Sequence, residues 1–232
     1  MTKKQFISLF AISIVAVCLL VTASLLKKHR TVIEWDGNPY NIENVNAVDA
    51  KFAHSYNKTL DKLGDAFIMI TSLVVVIAVV GSFFTSTDKR LGFKVAVYDS
   101  FAFLVSGIYT NSLYRILKTI AGRIRPYMYF ASPSEKGIAE GDFYRSWPSG
   151  HSANVFIIFG FMLTWFAVRK ADSKLKKPVL SLTLVLCLTT MLLRMLSGNH
   201  FLTDVLSGAT LGFLVTYGVS TLCYSIYGKE IK

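Results

Sequence analysis

Charge is scarce in this chain. Asp, Glu, Lys and Arg make up 17% of its 232 residues, while 53% are hydrophobic and the mean hydropathy is +0.47. An ordinary soluble domain carries about 25% charged residues, so the deficit excludes that class and points to a membrane protein. Cysteine is scarcer still. Cys18, Cys187 and Cys223 all lie inside apolar runs and their number is odd, which excludes a disulfide framework. No Cys/His cluster has zinc-site spacing, so neither a metal nor a cofactor is expected. There is no internal repeat, low-complexity segment or linker to mark a second domain, so one membrane-embedded domain is expected over residues 1–232. Acids are the rarer sign, 14 against 25 bases, for a net charge of +11. Nucleic acid is one use for such a balance. Here the bases cluster in short loops between apolar runs, which fits membrane orientation instead and predicts no nucleic-acid partner.

What is present is six long apolar runs, at about 6–26, 66–86, 95–117, 152–168, 178–196 and 205–227. The first follows Lys3-Lys4 as a signal peptide would. At roughly 21 residues it exceeds a signal core of about 7–15, so it reads as a retained anchor. The expected fold is an all-α bundle of six transmembrane helices, because lipid cannot satisfy open backbone groups. Between spans one and two, Val45, Val48, Phe52, Tyr56, Leu60 and Leu63 recur every three or four residues. That spacing predicts an amphipathic helix over Asn44–Leu63, either on the membrane surface or packed on the outer ends of the spans.

Orientation follows the Lys and Arg of the short loops. Lys89, Arg90 and Lys94 follow span two. Arg169, Lys170, Lys174, Lys176 and Lys177 follow span four, and Lys229 and Lys232 end the chain. With Lys3 and Lys4 they place both termini in the cytoplasm. A bacterial inner membrane fits the small size and the lack of extra domains. The second outer loop, 118–151, holds Pro126, Pro133, Gly137, Gly141 and Pro148, which suits a structured, irregular connection.

Three polar clusters then fall on the outer face, although the loop charges alone set the topology. The first is Lys118 and Arg125, seven apart and followed by Pro126; on a continued helix they share a face. The second is Trp147-Pro148-Ser149-Gly150-His151-Ser152, which opens span four. A helix start offers unpaired N–H groups and partial positive charge to an anion, and His151 can hold or release a proton near neutrality. The third runs from Arg194 through His200 to Asp204. A His and an Asp at i and i+4 across a helix start lie close enough for the carboxylate to orient the ring. Three cations around a helix start suit phosphate, and two histidines with a carboxylate make such a site reactive. Arg115, Arg123 and Arg145 stand nearby and read as solvated or interfacial charge, with contact to a head group or a second phosphate as the alternative. Asp99 reads as a helix-paired or interfacial acid.

Lys118-x6-Arg125-Pro126, Pro148-Ser149-Gly150-His151 and Arg194-x5-His200-x3-Asp204, in that order on six spans, resemble the tripartite signature of the type 2 phosphatidic acid phosphatase superfamily. One departure is Leu193, where the family usually has Ser. The resemblance implies a metal-independent membrane lipid phosphatase. In it His200 would be the nucleophile, Asp204 would hold its ring, and His151 would be the general acid and then the base. Lys118, Arg125, Arg194, the Ser149 hydroxyl and the Gly150 N–H would hold the phosphoryl oxygens, at a periplasmic site. The implied substrate is a lipid phosphate or diphosphate: phosphatidylglycerophosphate, phosphatidic acid, a polyprenyl diphosphate or a lipid A type glycolipid. A phosphotransferase to a lipid acceptor and a non-catalytic anionic-lipid carrier remain as alternatives. The soluble vanadate-dependent peroxidases share the signature, but six apolar spans argue against them.

Overall fold

A computed structural model describes residues 2–31, 33–169 and 174–227. Its elements in chain order are α1 (Lys3–Lys28), α2 (Ala47–Lys51), α3 (Lys58–Thr85), α4 (Lys89–Ala121), α5 (Glu135–Ala139), α6 (Gly150–Val168), α7 (Lys176–Leu196) and α8 (Leu202–Tyr227). All but α2 and α5 are long and apolar enough to cross a membrane, and the chain is an integral, multi-pass membrane protein. Lys170, Lys229 and Lys232 lie outside the described residues.

Local chemistry sets the helix starts. Thr2 and Gln5 form a reciprocal cap on α1. Asn57 accepts from the N–H groups of Thr59 and Leu60, Asp88 from those of Arg90 and Leu91, and Ser149 from that of Ser152. Hydropathy alone ended the spans too early. The helix of span two begins at Lys58 rather than 66, and that of span three runs from Lys89 to Ala121 rather than over 95–117. At 1.5 Å per residue α4 is about 50 Å long, well beyond a hydrocarbon core of about 30 Å. Its last turns therefore stand clear of the apolar zone.

α8 packs against α6 and α4. Gly208 and Gly212 let the backbone of α8 meet that of α6 at Ser149 and Ala153, where a Cβ would overlap the facing carbonyl oxygens. Ser220 Oγ donates to Thr164 Oγ1 over 3.1 Å, and the Thr110 and Thr216 hydroxyls lie 3.3 Å apart. Phe161, Met162, Phe166, Tyr224 and Tyr227 fill the centre with Ala102 and Val105. Phe6, Phe10 and Val17 on α1 and Met69, Leu73 and Ile77 on α3 point outward, as lipid-facing residues do. Gly212→Ala is expected to cost about 1–3 kcal/mol through overpacking. Gly218 has nothing within 4 Å of an added Cβ. Thermal unfolding in detergent should therefore show a lower midpoint for Gly212→Ala than for Gly218→Ala.

The start of α1 and the end of α8 lie together at one end of the bundle, where Gln5 Nε2 donates to Ile226 O over 2.8 Å. Asp99 sits there fully buried, bonded to Arg169, to Trp165 Nε1 at 3.0 Å and to the Tyr224 hydroxyl at 2.7 Å. It is a helix-paired acid.

The opposite end is capped by the two longer connections. The single helix expected over Asn44–Leu63 is broken into a 3-10 turn at Ile42–Asn44, the short α2, and the first turn and a half of α3. Asn46 and Asn57 divide it, because each side chain accepts from backbone N–H groups just ahead and so starts a new helix. The segment packs on the ends of the spans. Fully buried Asp49 accepts from Arg123 Nη2 at 2.7 Å, and from the backbone N and Oγ1 of Thr203 at 3.0 and 2.6 Å. Tyr127, Met128, Phe143 and Tyr144 form the apolar centre of this cap with Trp35, Tyr40 and Tyr56.

Candidate phosphate site

The three polar clusters all reach the capped end. α4 carries Lys118 on its last turn, only 8% exposed. The helix then stops, because Gly122 adopts the left-handed conformation with φ 58°. Arg125 is thus not on a continued helix with Lys118. It precedes the 3-10 turn Pro126–Tyr129 in extended backbone, and the chain doubles back to bring it to the site. Its Nε donates to Asp142 O at 2.9 Å, Nη2 to Asp142 Oδ2 at 3.0 Å, and Nη1 to Asn199 Oδ1 at 2.7 Å.

Ser149 caps α6, its Oγ accepting from the N–H and hydroxyl of Ser152 at 3.3 and 3.1 Å. Its backbone N–H donates to Asp204 O at 2.9 Å, tying the start of α6 to α8. Gly150 follows with its Cα against the Tyr114 ring, so closely that a Cβ would stand 3.0 Å from it. Among the described residues the Gly150 N–H has no hydrogen-bond partner, as expected of a first-turn donor. His151 Nε2 lies 2.7 Å from Asp65 Oδ1 on α3.

Arg194, in the last turn of α7, is 3% exposed. Its Nη1 donates to Asp61 Oδ1 at 2.5 Å, and Gly64 leaves room for the guanidinium to lie on α3. The missing Ser at Leu193 is thus no loss of anchorage, because a carboxylate from α3 holds the arginine. Arg194 Nε is buried without a hydrogen-bond partner among the described residues. Asn199 links the cations: its Oδ1 accepts from Arg125 while its Nδ2 donates to Asp61 Oδ1 at 3.0 Å.

His200, 1% exposed, precedes α8, so the helical i, i+4 geometry does not apply to it. Its Nδ1 stands 3.6 Å from Asp204 Oδ2, too far for a hydrogen bond, and it is unpartnered among the described residues. The Asp204 oxygens are taken elsewhere. Oδ1 accepts from Arg123 Nη1 at 2.5 Å, and Oδ2 from the Ser146 hydroxyl at 2.5 Å and the Phe201 N–H at 2.9 Å.

Electrostatics shows the convergence. Burial, then the charges of Lys118, Arg125 and Arg194 and the neighbouring His151, push the His200 imidazole well below its ordinary value. The ring is therefore neutral near pH 7, the state a nucleophilic nitrogen needs. The linkage has a definite sign. Unfolded chains protonate this histidine near pH 6.5 and the folded protein does not, so its stability contribution is full above that pH and is lost as pH falls below it. Nitrogen-15 NMR of the ring, without added anions, should show His200 still neutral at the pH where a free histidine is half protonated; titration near 6.5 would contradict the burial and the nearby cations.

Several partners escaped the sequence reading. Asp61, Asp65 and Asp49 come from segments with no motif, and Asp142, Ser146 and Asn199 from irregular backbone. Arg123 is not a solvated base but the bridge between two buried carboxylates, Asp49 and Asp204. Arg145 is also buried and pairs with Asp142 at 3.2 Å. Burial alone would raise Asp142, but Arg125, Lys118, Arg145 and Arg30 outweigh it and hold the carboxyl below its usual range. The spacing of Asp61 and Asp65, i and i+4 at the capped end of a span, was the one signal available. Among the described residues no group of three or more His, Cys, Asp or Glu is placed to hold a metal ion.

The model of the PAP2 superfamily matches residues 99–230. No curated protein matches the chain significantly. Among solved structures, the crystal structure of "the first transmembrane PAP2 type phosphatidylglycerolphosphate phosphatase from Bacillus subtilis" is similar, at 22% identity and a TM-score of 0.47. The alignment covers 94% of this chain and 97% of that one.

Proposed function

Because the chain belongs to the PAP2 superfamily, we propose that it is a membrane phosphatase that hydrolyses a lipid phosphate or diphosphate through a phosphohistidine on His200. The observation that carries this reading is a buried imidazole, kept neutral by burial and by the charges of Lys118, Arg125 and Arg194, on the segment whose Asp204 carbonyl is bonded to the start of α6.

The reaction would run in two steps. A phosphate seated on the three cations and the Gly150 N–H would present phosphorus to Nε2 of His200. Attack forms the P–N bond and breaks the bond to the lipid oxygen, which takes its proton from His151. Positive charge then develops on the His200 ring, and closing the 3.6 Å gap gives its Nδ1–H to Asp204. His151, now neutral, takes a proton from water, which attacks phosphorus and breaks the P–N bond. The fixed cations stabilise charge on the equatorial oxygens in both steps. Phosphate competes with Asp61 and Asp142 for the two arginines, whose forks those carboxylates already orient.

Asp65 does for His151 what Asp204 does for His200. Its carboxylate on Nε2 stabilises the imidazolium and leaves Nδ1–H for the departing oxygen. Asp65→Asn should lower kcat by about 10–100-fold and move the basic limb of the pH–kcat profile to lower pH. An unchanged profile would assign Asp65 no part in proton transfer.

The site lies at the end of the bundle away from both termini. The basic connections α3–α4 and α6–α7 lie at the terminal end, so the positive-inside rule puts the termini in the cytoplasm and the site outside, in a bacterial inner membrane in the periplasm. A glycerophospholipid phosphate is the first substrate to try. The test is purified protein in detergent with phosphatidic acid, phosphatidylglycerophosphate and a prenyl diphosphate, scoring free phosphate against phosphorylated lipid acceptor. Free phosphate that persists in EDTA is expected. Phosphorylated acceptor without free phosphate would make it a transferase, and no turnover of any lipid would leave only a binding protein.

A further inference from the structure

One face of α4 changes character along its length. Leu104, Ile108, Asn111, Arg115 and Lys118 follow one another at intervals of four and three residues and so share a side. Leu104, Ile108 and Asn111 line an apolar groove of about 370 Å³ against Leu20 of α1 and Asn154 and Ile157 of α6. Arg115 lines one end of that groove and also a second, polar cavity of about 560 Å³ with Lys27, Lys118, Arg145 and the carboxylates Glu140 and Asp142. The groove and the basic chamber thus meet at one guanidinium, three residues and about 4.5 Å of helix before Lys118.

Arg115 differs from the other arginines of this end. Arg123, Arg125, Arg145 and Arg194 are each paired with an aspartate. The Arg115 side chain has no hydrogen bond or ion pair among the described residues and is exposed to the chamber. The carboxylates of the same cavity have other cations, Asp142 in Arg125 and Arg145 and Glu140 in Lys136, so neither of them holds Arg115. A cation between an apolar groove and a phosphate site suits an anion that lies between a hydrocarbon chain and the reacting phosphate.

We propose that Arg115 seats a second phosphate of the substrate. The chain would lie in the groove, the inner phosphate on Arg115 with Lys27 and Arg145 on the chamber wall, and the terminal phosphate at Lys118, Arg125 and Arg194. The inference rests on the phosphatase reading above and narrows it to lipids with two phosphates, either sharing an oxygen or joined through glycerol. A lipid with one phosphate, such as phosphatidic acid, offers Arg115 only neutral ester oxygens.

The test compares kcat/KM for phosphatidic acid, phosphatidylglycerophosphate and a prenyl diphosphate in the wild type and in Arg115→Gln. The side chain is exposed, so the variant should elute and unfold as the wild type does. The ratio of a two-phosphate substrate to phosphatidic acid should fall about tenfold or more in Arg115→Gln. A fall for the glycerol-bridged lipid alone, or for the diphosphate alone, supports the seat and identifies its occupant. Turnover of all three lipids with unchanged ratios overturns the seat and leaves the phosphatase reading standing. No wild-type turnover of any of them overturns both.

Discussion

His200→Ala is expected to lower lipid phosphate hydrolysis by about 10⁴-fold or more, as loss of the nucleophile does in acyl-transfer enzymes. No other side chain in the pocket can take over. Lys118, Arg125 and Arg194 are cations that hold oxygens, and His151 is engaged by Asp65. The residual rate should come from charge stabilisation and positioning alone. The substitution removes a buried ring whose Nδ1 has no hydrogen-bond partner among the described residues, so no buried polar group loses a bond. The protein should remain folded in detergent and keep its affinity for orthovanadate within a few-fold, since the oxyanion is held mainly by the three cations. A variant that still turns over within tenfold of the wild type would remove His200 from the chemistry.

Arg123→Ala should have the largest effect on stability. Arg123 joins Asp49 of α2, in the connection between α1 and α3, to Asp204 of α8, both 0% exposed. Burial alone would raise the Asp49 carboxyl, but the bonds from Arg123, Thr203 and Asn46 outweigh it and keep it below its usual range, so it is charged at neutral pH. Removing the guanidinium leaves two buried carboxylates short of their cation, at a cost of about 3 kcal/mol or more. The midpoint of thermal unfolding should drop markedly, and kcat should fall with it as Asp204 loses its clamp. Arg123→Lys should rescue little, because a point charge cannot span both carboxylates as a planar fork does. Adding Asp49→Asn to Arg123→Ala should restore part of the lost stability by removing one stranded charge. A solvated surface base would instead give a change within about 0.5 kcal/mol.

The contrast between Arg123 and Arg125 shows what could be read before any coordinates. Six spans followed from hydropathy, since only a helix satisfies its backbone in lipid, and the three motifs marked Lys118, Arg125, Ser149, Gly150, His151, Arg194, His200 and Asp204. Long-range partners left no local trace. Asp49 meets Arg123 across 74 residues and Asp65 meets His151 across 86. Neither pair has periodicity or spacing to betray it, because the contact is made by how spans pack and not by any one helix. His200 and Asp204 do lie close, but not for the helical reason expected. Helical spacing was assumed across a helix start, yet α8 begins only at Leu202, and the two groups stand 3.6 Å apart instead of bonded. Helical spacing fails for Arg125 in the same way, because Gly122 ends α4 before it.

The central claim is that phosphorus passes from a lipid oxygen to the imidazole of His200. Purified protein mixed with a lipid labelled with phosphorus-32 on its terminal phosphate, quenched in alkali within milliseconds and digested, should yield a labelled peptide containing His200. In His151→Ala the label should both form and decay more slowly, since His151 serves both steps. Label on any other residue, or turnover with none trapped even in His151→Ala, would contradict the account.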